Sequence, residues 1–255
     1  MPIRLNRLAC VLAACLALPV QAEVQTYKID NTHSFANWEL RHVVAITSGT
    51  FHDVQGKINL DTADVAKSAV EATISVYSLN SSHLKRDVHV LTDEFLGARD
   101  YPEMKFVSTK LVPVTAEKGS LSGNLTLHGV TKPVTMDYQI LGVGKDPWGG
   151  TRLGIKATTR LNRSDFGISK YVPNGPVGNE VSITLLIEGI RIDADGNVWK
   201  AAAPAPKAIA FPAPVETAPQ PVPMSGATPA PAPAPEKKES TKDQLKKELL
   251  KGLFN

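Results

Sequence analysis

The sequence LSGNLTLHGVTKPVTMDYQI, residues 121–140, decides the fold class. Apolar and polar side chains alternate through both of its halves, and a turn sequence at residues 129–132 separates them. An alternation of period two places successive side chains on opposite faces of a strand, so this stretch predicts an antiparallel hairpin with one apolar face. The side chains expected on that face are Leu121, Leu125, Leu127, Val134, Met136, Tyr138 and Ile140.

The same alternation continues through most of residues 24–190, and a second turn sequence at residues 146–150 closes another hairpin. Only residues 81–100 depart from it. Their apolar side chains recur at helical spacing behind the capping residues Ser81 and Ser82, which predicts one or two short helices. At least eight strands without a helix between successive pairs exclude an α/β fold and predict an all-β domain. The periodicity leaves a closed barrel and a two-sheet sandwich both open.

The first 22 residues have the features of a secretory signal peptide. A basic start and an apolar run over residues 8–20 precede a small-residue cleavage site at residues 20–22. The run is too short to span a bilayer, which requires about 20 apolar residues. We therefore expect cleavage at this site and export of the protein. The alternative is a lipoprotein, because residues 12–15 resemble a lipobox that would leave Cys15 as a lipidated N-terminus.

The composition excludes several classes of function. Hydrophobic residues make up 42% and charged residues 21% of the 255-residue chain, which is typical of a folded protein. Residues 23–199 carry 18 Lys and Arg against 20 Asp and Glu, so a basic face for nucleic acid is not expected. The two cysteines, Cys10 and Cys15, lie in the signal segment, which excludes thiol catalysis, thiolate metal sites and disulfides from the mature domain.

The C-terminal residues differ from the β-rich region in composition. Residues 200–239 are rich in Pro and Ala, with 11 of the 19 prolines between residues 204 and 235, and they predict a disordered, extended linker. Residues 240–255 begin with a capping box and then place leucines on one helical face and lysines around it, which predicts an amphipathic helix. This helix is either a solvated tail or an anchor for an anionic membrane surface or a partner protein.

Segments within residues 24–191 together resemble the YceI-like family. The motifs that carry the resemblance occur in the family's order and spacing: HSFANWELRH at 33–42, GTF at 49–51, RDVHV at 86–90, YPEMKF at 101–106, GNLTLHGVTKPV at 123–134 and LNRSDFG at 161–167. The resemblance implies an eight-stranded antiparallel lipocalin-like barrel over residues 23–199. It also implies an elongated apolar tunnel that binds polyisoprenoids or other long-chain amphiphilic lipids, usually in the bacterial periplasm.

The apolar strand faces supply candidates for the lining of such a tunnel. A long alkyl chain needs aliphatic and aromatic walls and a mouth that accepts a head group, so no polar constellation is required for affinity. Arg86 and His89, beside the predicted helix, are the candidates for the head group, and residues 171–178 form a loop that could edge the mouth. The candidates for the lining are Trp38, Phe51, Ile74, Val76, Phe106, Leu125, Leu127, Met136, Tyr138 and Ile155.

Catalytic and metal-binding alternatives have weaker support in the sequence. The six histidines show no HExxH or other compact ligand motif, so neither a metal site nor a cofactor is expected. Asp87 and His89 offer an acid–base pair, but no G-x-S-x-G nucleophile motif accompanies them, and no enzymatic activity is expected. Two hypotheses remain: an exported lipid-binding protein, and a non-enzymatic scaffold whose C-terminal tail recruits a membrane or a partner.

Overall fold

A computed structural model describes residues 24–172 and 174–200. The predicted signal peptide with its Cys15 alternative, most of the Pro/Ala-rich linker and the C-terminal amphipathic helix lie outside these residues. Across the described ranges, no helix combines the length and the apolar composition needed to cross a bilayer.

The described part of the chain contains eleven β-segments and one α-helix, α1, at Leu84–Val90. Three 3₁₀ turns lie at Val65–Lys67, Val76–Ser78 and Arg163–Phe166. The segments are β1 (Val24–Ile29), β2 (Phe35–His42), β3 (Ala45–Phe51), β4 (Val54–Asp61), β5 (Ala69–Ser75), β6 (Leu79–Asn80), β7 (Glu103–Pro113), β8 (Lys118–Leu127), β9 (Val130–Lys145), β10 (Thr151–Asn162) and β11 (Val177–Ile192).

These eleven segments form a closed barrel of eight antiparallel strands. β1 and β2 both pair with the same edge of β11, so they are two collinear pieces of one barrel strand. β3 and β4 form a second interrupted strand beside them, and β5 and β6 form a third. β7 to β11 are continuous and pair in chain order, and β11 closes the barrel. The all-β prediction and the barrel are confirmed, and a two-sheet sandwich is excluded.

Segment connections place a different set of loops at each end of the barrel. The α1 end carries the β2–β3 hairpin, the long connection that contains α1, the β8–β9 hairpin and the connection from β10 to β11. The opposite end carries the β4–β5 connection, the β7–β8 and β9–β10 hairpins, and residues 193–200. Only α1 is helical in the predicted 81–100 region, because residues 91–101 fold mainly as consecutive turns.

The interruption between β1 and β2 is stabilised by side chains. The Ser34 hydroxyl accepts a hydrogen bond from the Glu188 amide and donates one to the Glu188 carbonyl, so it replaces the missing ladder contacts. Nearby, the Arg152 guanidinium pairs with Asp30, Asp146 and Glu188. Burial alone would raise the pKa of Asp30, but hydrogen bonds from Thr32, His33 and Arg152 outweigh it and hold that pKa well below its usual range.

Replacement of Arg152 by methionine is expected to lower the free energy of unfolding at pH 7 by about 2 kcal/mol, because three carboxylates lose their shared cation. The pKa of Asp30 is depressed in the folded protein, so its stabilising contribution is present at neutral pH and is lost as the pH falls below about 4. The difference between the two proteins should therefore shrink at pH 3. Urea denaturation at both pH values measures it, and a difference independent of pH would contradict this account.

Candidate functional site

An apolar cavity of about 650 Å³ lies inside the barrel. Nine of the ten predicted lining residues are on its wall, and the head-group candidates Arg86 and His89 are as well. The exception is Val76, which lies in a 3₁₀ turn, is 1% exposed and packs within the core beside the cavity. The nine are Trp38, Phe51, Ile74, Phe106, Leu125, Leu127, Met136, Tyr138 and Ile155.

Glycines on neighbouring strands make room for the rings of two aromatic lining residues. A Cβ atom on Gly49 would come within 2.4 Å of the Trp38 indole, on the strand beside it. A Cβ atom on Gly123 would come within 2.4 Å of the Phe106 ring. The small residues in the GTF and GNLTL motifs are therefore required by the aromatic rings of the neighbouring strands.

The cavity wall carries few polar groups. Within the described residues, two buried side-chain atoms have no hydrogen-bond partner, the Trp38 indole nitrogen and the Tyr138 hydroxyl, and both residues line the cavity. Burial raises the pKa of Tyr138, so its hydroxyl remains a neutral phenol at neutral pH. A wall of this kind favours a ligand that is hydrocarbon over most of its length.

The cavity opens at the α1 end. The exposed residues of the wall are concentrated there: His42, Arg86, His89, Lys105, Tyr171 and Pro176. Toward the opposite end the wall is formed by residues such as Leu111, Tyr138 and Ser68, which are buried. Tyr171 and Pro176 belong to the loop that the sequence proposed for the edge of the mouth. The cavity is therefore a pocket with a closed end and one mouth.

Helix α1 is held over the mouth by buried polar contacts. The Asp87 carboxylate, 2% exposed, accepts hydrogen bonds from the Ser81 amide and hydroxyl. The N-terminal cap of α1 is His83, and not Ser81 or Ser82 as the sequence predicted. The His83 ring accepts a hydrogen bond from the Arg86 amide at 3.2 Å. Ser81 is already used by Asp87 and by the Arg86 guanidinium, which donates to the Ser81 hydroxyl and carbonyl. Asp87 thus has a structural role, and it anchors the helix that presents Arg86.

His89 takes part in a chain of contacts across the mouth. Its ring lies 3.1 Å from a Glu94 carboxylate oxygen, and Lys170 pairs with the other oxygen of Glu94. Hydrogen bonds from Lys170 and then His89 lower the pKa of Glu94. His89 also packs edge-on against Phe95, at 5.2 Å between ring centres. These contacts join the α1 connection to the loop that follows β10.

Sequence reasoning missed a second arginine at the mouth, Arg163. It is 6% exposed and donates hydrogen bonds to the backbone carbonyls of Ile168, Lys170, Val177 and Gly178. Burial lowers the pKa of its guanidinium. Its motif, LNRSDFG, resembles a family segment, but nothing local in that segment indicates contacts with backbone carbonyls up to 15 residues away.

Three arginines at the α1 end have no carboxylate partner in the described ranges. Arg41, Arg86 and Arg163 make no ion pair within 4.0 Å there, and each donates to carbonyl or hydroxyl oxygens. By contrast, Arg152, Arg99 and Arg160 all pair with carboxylates. These three guanidinium groups are therefore held by uncharged oxygens, while the Asp87 and Glu94 carboxylates lie at the same end of the barrel.

The one cluster with metal-ligand geometry in the described residues already contains a cation. Ligand atoms of Asp30, His33 and Glu188 lie within 4.8 Å of one another. The Arg152 guanidinium donates to both carboxylates, so their charges are engaged by the protein itself. The cluster also lies at the β1–β2 interruption, away from the mouth, and its geometry indicates a structural role.

Comparison with known proteins gives a consistent result. A family model described as a YceI-like domain matches residues 27–189. A UPF0312 protein of Pseudomonas putida (strain W619) is 39% identical over 186 residues, which cover 72% of this chain and 95% of the relative. A UPF0312 protein of Vibrio parahaemolyticus is 38% identical over 183 residues, which cover 71% and 95%.

Two crystal structures show the same architecture. The Campylobacter jejuni YceI protein superposes with a TM-score of 0.52 at 28% identity, over 59% of this chain and 88% of that one. Burkholderia cenocepacia BcnA superposes with a TM-score of 0.56 over 63% of this chain and 98% of that one, and at 22% identity this likeness concerns the fold alone.

Proposed function

We propose that this chain, which belongs to the YceI-like family, binds one long-chain isoprenoid or similar amphiphile inside its barrel, without catalysis and without a cofactor. The observation that carries the proposal is the apolar pocket of about 650 Å³ with one mouth. A protein that served only as a packed scaffold would have a filled interior. Transport, storage and sequestration are all compatible with this binding.

The volume and the apolar lining of the pocket suit a hydrocarbon chain. Pockets for small molecules span roughly 300–1,000 Å³, and this volume falls within that range. Each CH₂ group that leaves water for an apolar wall contributes about 0.8 kcal/mol, so affinity grows with the buried length of the chain. Aliphatic residues from opposite sides of the barrel, such as Leu125 and Ile183, line the pocket and supply this wall.

The arrangement of charge suggests how the ligand is oriented. The apolar tail would lie toward the closed end near Tyr138, and the head group would remain at the mouth beside Arg86 and His89. Because Arg86 and Arg163 lack carboxylate partners among the described residues, an anionic head group would be favoured there over a cationic one. The signal-like residues 1–22 would place this activity in the periplasm, as part of the same proposal.

The test is to identify what the protein carries from the cell. The exported protein is purified without detergent and extracted with organic solvent, and the extract is analysed by mass spectrometry. We expect one long-chain lipid with an anionic head group at a ratio near one per protein. A boiled and refolded sample provides the blank. Recovery of no lipid, together with failure to bind any long-chain probe, would overturn the proposal.

A further inference from the structure

We propose that the β2–β3 hairpin at the mouth inserts its tip into the surface of a lipid bilayer, so that the pocket opens toward the membrane. The proposal goes beyond lipid binding, because it concerns where the pocket is filled and emptied. It rests on the exposed surface of the protein, whereas the proposed function rests on its interior.

The tip of this hairpin is apolar and exposed. β2 ends at His42 and β3 begins at Ala45, so the two-residue turn is Val43-Val44. Val44 is 96% exposed, and Val43 and Ile46 are 52% and 66% exposed. Single apolar residues on a surface need no explanation, but three together at one projecting turn form a patch that water disfavours.

The turn is also made against the conformational preference of its residues. Val43 has φ of +55°, in the left-handed region that two-residue hairpin turns require. Asparagine and glycine adopt this conformation readily, whereas a β-branched side chain there is a strained outlier. A turn selected for stability alone would carry glycine at residue 43, the central position with positive φ. The Val-Val pair therefore indicates a role for apolar side chains at this position.

The tip is braced against the other side of the mouth. The Arg41 guanidinium donates to the Val43 carbonyl at 2.7 Å and to the Gly175 carbonyl at 3.3 Å. The Val43 amide donates to the Pro176 carbonyl at 2.6 Å. The hairpin and the loop at the mouth edge are thus joined, and the apolar tip has a fixed orientation next to the opening of the pocket.

Charge and position identify a lipid surface as the occupant. Residues 40–47 contain Arg41 and His42 and no acidic residue. Together with the exposed Arg86, Arg41 places cations without carboxylate partners, within the described ranges, at the same end of the barrel as the apolar tip. Exposed apolar side chains beside an arginine match the interface of an anionic bilayer, where each cation near the surface gains attraction to lipid phosphates.

The opposite end of the barrel supplies a matched control. Val114, in the β7–β8 hairpin, is 81% exposed, but it lies far from the mouth in the topology. The exported protein, residues 23–255, contains no cysteine, so Val44→Cys and Val114→Cys each introduce a single site for an environment-sensitive fluorophore. Because the label reports its own position, binding by the Lys-rich C-terminal tail cannot imitate insertion of the tip.

The experiment adds vesicles of phosphatidylcholine, with or without phosphatidylglycerol, to each labelled protein. We expect a blue shift and quenching by lipid-borne nitroxide for the Val44 label with anionic vesicles, and neither change for the Val114 label. Equal responses at both positions, or none at Val44, would overturn the proposal. A Val44 shift that appears without vesicles as protein concentration rises would also overturn it, since it would identify a second copy of the chain as the occupant.

A functional readout separates this proposal from ligand binding itself. Val44→Asp is expected to slow transfer of a fluorescent long-chain probe from anionic vesicles by about tenfold, while Val114→Asp leaves the rate unchanged. Both variants should bind the same probe with parental affinity when it is delivered from cyclodextrin. If the parent protein does not bind the probe from cyclodextrin, the proposed function is wrong. If Val44→Asp transfers the probe from anionic vesicles at the parental rate, the proposed insertion of the hairpin tip is wrong.

Discussion

Ile155→Glu is expected to abolish retention of a long-chain ligand, with a loss of affinity of at least about a hundredfold. Ile155 lies in the middle of β10 and pairs with Ile140 on one side and Ile187 on the other, and all three line the pocket. A carboxylate on this wall would face hydrocarbon and would either remain charged, which excludes the alkyl chain, or draw water into the pocket. In both cases the chain loses its apolar environment.

The neighbouring residue provides the control. Lys156 is exposed on the outside of the same strand, so Lys156→Glu adds the same carboxylate one position along and should leave affinity within about twofold. Titration with a fluorescent long-chain probe measures both variants, and circular dichroism verifies that each is folded. If Ile155→Glu does not fold, Ile155→Trp occupies pocket volume without charge. A folded variant of either kind with parental affinity would show that the ligand binds elsewhere.

Arg163→Met should cause the largest loss of stability, about 3 kcal/mol, since four backbone carbonyls lose their donor where the arginine side chain is buried. Hydrogen bonds from a charged donor contribute more than neutral ones, and methionine retains the apolar part of the side chain. The loop from residue 167 to β11 would lose the centre that organises it. Urea denaturation of the ligand-free protein measures the effect.

Arg160 is the matched comparison for this substitution. It lies on β10 three residues earlier, is exposed, and makes one ion pair with Glu180 at 3.7 Å. Exposed pairs of this kind contribute little, so Arg160→Met should change stability by less than about 0.5 kcal/mol. Equal losses for the two variants would mean that the carbonyl contacts of Arg163 are replaced by water at small cost.

The strands could be predicted because local sequence determines them. Residues 121–140 form most of β8 and most of β9 with the alternation expected, and Leu121, Met136 and Tyr138 are buried as predicted. Closure could not be predicted from periodicity, because a sandwich strand and a barrel strand present the same pattern. The resemblance to a known family supplied that information. The interruption near Ser34 also escaped prediction, since its hydroxyl replaces ladder contacts with Glu188, 154 residues away.

The pocket lining followed from the strand alternation wherever the strand was regular. Val76 departs from it because β5 ends at Ser75 and a 3₁₀ turn follows, which breaks the period of two. The mouth was harder to predict, because its residues come from loops that meet only in the folded protein. Arg86 and His89 were proposed from their position beside the predicted helix. Arg41 and Arg163 also lie in family motifs, but their contacts are with backbone carbonyls of a distant segment, which no local pattern indicates.

The three interrupted strands give the barrel a mechanical asymmetry. The three interruptions lie side by side. Beside the first, Ala36 of β2 pairs with Phe51 of β3, which borders the second. The Asp53 carbonyl, in the second interruption, accepts a hydrogen bond from the amide of Ser75, which borders the third. On one wall, therefore, three neighbouring strands are interrupted at the same level, while the wall of β7 to β11 is built of long uninterrupted strands. Backbone with fewer ladder contacts deforms at lower cost. If the diameter of the barrel changes to accommodate a wider or narrower ligand, the interrupted strands would move, and the wall of β7 to β11 would keep its shape.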